Sequence, residues 1–115
     1  MSESLYPQST AKHGQERQRL TPDAAEAFKA FSRAVFAEGA LSEKTKQLIA
    51  VAVAHVTQCP YCIKGHADGA LKKGATAEEI MEAIWVAAEM RAGAAYAHSA
   101  ITLETLSKHQ ETNNG

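Results

Sequence analysis

The stretch KTKQLIAVAVAHVTQCPYCIKGH, residues 44–66, decides how this chain folds. Its first half spreads Leu48, Ile49, Val51, Ala52, Val53 and Val56 over most of a helical circumference, the pattern of a buried helix rather than an amphipathic one. Ser42 and Glu43 supply the start signal for that helix, and Gly39 the break before it. Pro60 ends or redirects it, because proline disfavours helical backbone in the preceding residue and has no N–H for the preceding turn. With Pro60 at the first position of a new helix, Cys59 becomes its N-cap and Cys62 falls in its first turn. This next helix runs to Lys73 and closes at Gly74, with Lys72 and Lys73 suited to its negative end.

The same periodicity extends in both directions. Upstream, Thr21, Pro22 and Asp23 supply an N-cap, a first-turn proline and an acidic residue ahead of Phe28, Phe31 and Val35, which predicts a helix to about Phe36. Downstream, Thr76 and Glu79 have capping-box spacing, and Ile80, Ile84 and Ala88 form one stripe beside Met81 and Trp85. Gly93 is the expected interruption of that helix, after which Tyr96, Ile101, Leu103 and Leu106 carry the pattern on. No strand-like alternation of useful length occurs. The expected architecture is therefore all-α: a polar N-terminal extension over 1–20, a compact helical domain over 21–109 with the cysteine pair at the start of a core helix, and a disordered tail over 110–115.

Composition narrows the function classes. A chain of 115 residues permits one domain with a core that needs no staple. With 45% hydrophobic residues, 22% charged residues and a formal net charge of −1, it carries no basic footprint for nucleic acid or anionic membrane. The first 20 residues lack the apolar run of a secretory signal, and nothing approaches the roughly 20 apolar residues of a membrane span, so a cytoplasmic location is expected. Thiols there are kept reduced, and the only two cysteines, Cys59 and Cys62, then read as redox or metal-binding groups.

A free cysteine has a pKa of about 8.5, and a helix N-terminus lowers it by roughly one unit, which leaves the thiol mostly protonated near pH 7. His66 lies at i+4 from Cys62, on the same face one turn along, where an imidazole can accept the thiol proton and then face the thiolate as a cation. Cys59, three residues before Cys62, is placed to attack a sulfenic acid formed there and close a disulfide.

Three other readings compete. Both cysteines could be small buried apolar groups. His55, Cys59, Cys62 and His66 have the two-cysteine, two-histidine composition of a structural zinc site, although they fall on two helices around a proline. His55 by itself reads as a buried histidine satisfied by a backbone carbonyl, His98 as core or interface, and Trp85, Met81 and Met90 as core packing. The tetrapeptide also resembles the glutaredoxin motif. That fold requires a strand entering the motif and a later cis-proline, whereas this chain enters through a helix and has only Pro7, Pro22 and Pro60.

From about Phe28 to Leu106 the chain resembles the AhpD-like branch of the carboxymuconolactone decarboxylase superfamily. The resemblance is carried by KTKQLIAVAV (44–53), CPYCIKGH (59–66) and GATAEEIMEAIWVAA (74–88). It implies a small all-helical domain with alkylhydroperoxidase or thiol–disulfide reductase activity and no cofactor. It also implies that Cys62 attacks the peroxide, Cys59 resolves it and His66 takes part in proton transfer. The implied partners are a hydroperoxide or disulfide substrate, a thiol reductant and further copies of the chain in a trimer or hexamer. Where the AhpD-like pattern has a glutamate, twelve residues before the first cysteine, this chain has Gln47. An amide can orient an imidazole but cannot carry a proton as a carboxylate does. Glu43, one turn earlier on the same face, is the candidate substitute; its ordinary reading is an exposed carboxylate near the positive end of its helix.

Overall fold

The computed structural model describes residues 6–114. Among them are five helices and no strand: α1 (Ala11–Leu20), α2 (Pro22–Phe36), α3 (Glu43–Thr57), α4 (Pro60–Lys72) and α5 (Ala77–Asn114). The first five residues of the expected extension, and Gly115 of the expected tail, lie outside the described residues. The chain divides into two compact units, Met1–Lys46 and Gln47–Gly115.

In the first unit α1 and α2 are joined at Thr21, which is the C-cap of one helix and the N-cap of the next. Its N–H and hydroxyl both donate to the Arg17 carbonyl, at 2.9 and 3.0 Å, so its side chain closes α1 instead of capping α2. Pro22 starts α2 without forfeiting a hydrogen bond, because first-turn amides have no intrahelical acceptor. At the other end of α2 the Lys46 ammonium donates to the carbonyls of Val35 (2.8 Å) and Ala37 (2.6 Å), neutralising the negative helix terminus. The helix α1 lies within the polar extension expected over 1–20. It has no buried residue, so no apolar stripe announces it.

The second unit is built around Val51 of α3, Ala70 of α4 and Ala75 of the following turn, with Leu48, Ile80 and Ile84 packed against them. Two of the three central residues are alanines, so the helices can approach closely. The turn that brings Ala75 inward is a complete Schellman motif. Gly74 adopts φ +90, the Gly74 N–H donates to Leu71 and the Ala75 N–H to the Ala70 carbonyl, at 3.0 and 2.9 Å. A side chain at 74 would be strained in that backbone region, which is why glycine stands there. Thr76 and Glu79 then form the predicted capping box, with N–H to side-chain bonds of 2.9 and 3.1 Å.

Three expectations fail in this unit. The helix α3 is not buried on all sides: Val51 and Ala54 are covered, but Ile49 and Val53 keep 47% and 52% of their surface. Met81, Trp85 and Met90 are not core residues either, Trp85 being 67% exposed. A helix that is apolar around its circumference buries only what its neighbours cover, and within one chain Ala70, Ala75, Ile80 and Ile84 cover a single side of α3. Nor does Gly93 interrupt α5, which continues as one helix of 38 residues through the stretch expected to be a disordered tail. One glycine costs a helix about 1 kcal/mol, too little to break one this long.

Candidate redox site

The joint between α3 and α4 consists of two residues, Gln58 and Cys59. Cys59 serves both helices. Its N–H donates to the Ala54 carbonyl at 3.2 Å, the six-to-one bond that closes α3 in a Schellman motif. Its carbonyl accepts from the Ile63 N–H at 2.9 Å, the first intrahelical bond of α4, and its Sγ accepts from the Cys62 N–H at 3.2 Å as a side-chain N-cap. The left-handed position this closure demands is filled by Gln58, at φ +58, where glycine is the usual residue. Left-handed backbone at an L-residue costs roughly 1–2 kcal/mol. Across the unit, Arg91 of α5 donates from Nη1 to the Val56 carbonyl at 2.7 Å and so holds the last turn of α3.

This geometry splits the two thiols. Cys59 is held below the usual thiol pKa, first by the hydrogen bond from the Cys62 thiol, then by the backbone N–H groups of Cys62 and Tyr61. Pro60 offers no N–H, so the next two amides of the first turn turn towards the sulfur. Cys62 is pushed up, because its proton is shared with Cys59, because it is desolvated and because a neighbouring negative charge disfavours a second one. The pair is therefore biased towards a thiolate on Cys59 and a thiol on Cys62.

The candidate base is on the same helix. His66 lies one turn after Cys62, half-buried. Its Nδ1 meets Oε1 of Gln47, on α3, at 2.8 Å. An amide oxygen only accepts, so the imidazole donates Nδ1–H, and its basic nitrogen is Nε2. Gln47, at the position where the resemblance implies a glutamate, is thus hydrogen-bonded to the imidazole. Glu43, the other candidate, opens α3 within the first unit, where its N–H faces the Glu38 carboxylate at 3.5 Å.

His55 spends its Nδ1–H on the Val51 carbonyl at 2.8 Å, the backbone partner expected of it, and no three His, Cys, Asp or Glu side chains gather as a ligand set among the described residues. His98 makes the same kind of bond to Ala94 at 2.8 Å but is exposed. Sequence reasoning missed Gln58 and Arg91. Their roles depend on backbone conformation and on a contact 35 residues apart, and neither leaves a local signal.

This all-helical chain has known counterparts. The carboxymuconolactone decarboxylase family matches residues 22–104, and the chain belongs to that family. It is 59% identical over 106 residues to an uncharacterised protein encoded in the cox locus of Paracoccus denitrificans, covering 92% of this chain and 95% of that one. Among solved structures it is similar to a protein from Methanobacterium thermoautotrophicum, with TM-score 0.69 and 42% identity over 73% of this chain and 94% of the other. A carboxymuconolactone decarboxylase family protein from Legionella pneumophila gives TM-score 0.68 and 33% identity, covering 85% and 88%.

Proposed function

We propose that this protein is a thiol-dependent peroxidase of the alkylhydroperoxidase-like branch of its family, and that Cys59 and Cys62 are its redox pair. The observation that carries this reading is geometric: two free thiols share one helix N-terminus, the Cys59 sulfur accepting from the Cys62 N–H at 3.2 Å, with His66 one turn along the same helix. In the proposed cycle His66 Nε2 removes the Cys62 proton, and the thiolate attacks the distal oxygen of a hydroperoxide. The O–O bond breaks, Cys62 becomes a sulfenic acid, and the alkoxide leaves as the alcohol with the proton held by His66. The Cys59 thiolate, already favoured by its N-cap position, then attacks the Cys62 sulfur and displaces hydroxide, which regains from solvent the proton that Cys59 released on ionising and leaves as water. An external dithiol reduces the resulting disulfide. A second reading, dithiol–disulfide exchange without significant peroxidase activity, is favoured by one observation: Gln47 orients His66 but cannot relay its proton.

The two readings separate in one titration. Under the peroxidase reading, one equivalent of alkyl hydroperoxide removes two free thiols per chain, and dithiothreitol restores them, with no metal released. Loss of thiols to a small disulfide but not to the peroxide would leave only the exchange reading.

The proposed partners are that hydroperoxide, a thiol reductant and further copies of the chain. No helix among the described residues is long and apolar enough to cross a membrane, and a cytoplasmic location would keep the pair reduced. Self-association is supported by Phe28, Phe31, Trp85, Val86, Met90, Tyr96 and Ile101, all more than 60% exposed in the single chain. Light scattering should give three or six times the chain mass; a single-chain mass would remove this part of the proposal.

A further inference from the structure

The helix α4 carries two internal glycines, at 65 and 69, although alanine is the better helix former at any position with room for a methyl group. At Gly65 there is room, since a Cβ would meet nothing within 4 Å. At Gly69 there is none: a Cβ would stand 2.7 Å from Oε1 and 3.0 Å from the carboxamide carbon of Gln47. That oxygen is the one that accepts from His66 at 2.8 Å. His66 and Gly69 are three residues apart, on one face of α4. The Gln47 amide therefore lies along the bare backbone of Gly69 on its way to the imidazole.

We propose that Gly69 is a positioning residue for the redox site, one that fixes the tautomer of His66 by leaving the space in which Gln47 reaches it. The colliding atoms are the far end of a flexible side chain. A methyl group at 69 consequently does not prevent folding; it makes Gln47 swing aside and gives up the Gln47–His66 bond. With that bond gone, the imidazole loses the acceptor that favours Nδ1–H, and the share of the population with the proton on the nitrogen assigned as base rises. The catalytic consequence rests on the peroxidase reading above, but the positional one does not.

The experiment compares the full chain with Gly69→Ala, Gln47→Ala, the double variant and the control Gly65→Ala, read by nitrogen NMR of His66 and by consumption of tert-butyl hydroperoxide. The expected result is an Nδ1–H signature in the parent and Gly65→Ala, and a mixed or Nε2–H signature in Gly69→Ala. Peroxide turnover should fall about tenfold in Gly69→Ala, as when a supporting hydrogen bond is removed from a site. In the Gln47→Ala background the added methyl should have no further effect, because it acts only through Gln47. An unchanged Nδ1–H signature in Gly69→Ala, or an equal further loss in the double variant, would overturn the proposal. A parent that consumes no peroxide but shows the expected tautomer shifts removes the peroxidase reading and leaves the positional role standing.

Discussion

Cys62→Ser is expected to abolish peroxide consumption, whereas Cys59→Ser should still react once and stop, with a sulfenic acid on Cys62 that dimedone traps. The two outcomes differ because the proposed cycle gives Cys62, four residues before His66, the attacking role, and Cys59, whose acidity is raised at the N-cap, the resolving one. The sign of the acidity change sharpens the expectation. Cys62 is pushed up chiefly by Cys59, first through the shared proton and further through its charge. A serine at 59 removes that charge, so the Cys62 pKa falls and more thiolate is present at any given pH. In Cys59→Ser the alkylation of Cys62 by iodoacetamide should therefore begin at lower pH than in the parent. In Cys62→Ser, by contrast, Cys59 retains the backbone donors of its cap and should remain readily alkylated, which shows that the fold survives. A sulfenic acid trapped on Cys59 instead of Cys62 would reverse the assignment of the two roles.

Gln47→Glu is expected to raise the peroxidase rate near neutral pH by about tenfold or more, within the range that a positioned general acid or base contributes. The carboxylate occupies the same volume, finds the same space over Gly69 and reaches the same Nδ1. It adds what the amide lacks: a negative charge that favours the imidazolium formed when His66 takes the thiol proton, and a site that can itself hold a proton. Steady-state peroxide kinetics across pH 6–8 would measure the change. An unaltered rate would mean that residue 47 is not part of the proton path.

Much of this architecture is legible in the amino-acid sequence, because its signals are local. Pro60 next to Cys59 predicts the N-cap, and it is found. Thr76 with Glu79 predicts the capping box, and Gly74 the close of α4. The second unit also contains the expected partner for His55. What sequence could not reveal is which apolar residues a single chain covers: Trp85 and Val53 have the hydrophobicity of core residues and the exposure of surface ones. Periodicity reports that a face avoids water, without saying what shields it. Within the site, the proximity of Cys59 to Cys62 follows from spacing, whereas the Gln47–His66 bond joins residues 19 apart on different helices. The unequal acidity of the two thiols was not legible either. It depends first on the hydrogen bond between the two thiols, and then on where the first-turn amides point once proline has withdrawn one of them.

The two-residue joint has a consequence for which changes of chain length the site can survive. Because Cys59 both closes one helix and caps the next, and Gln58 before it is fixed in left-handed backbone, the joint has no slack to absorb an insertion or deletion. Each residue of an α-helix turns the chain by about 100°. Adding or removing one residue between Thr57 and Pro60 would rotate the whole of α4 about its axis unless the joint re-formed. His66 and Gly69 would leave Gln47 together, even though every side chain of the site was still present. For this protein the distance along the chain between two helices is as much a part of the site as the identity of the cysteines.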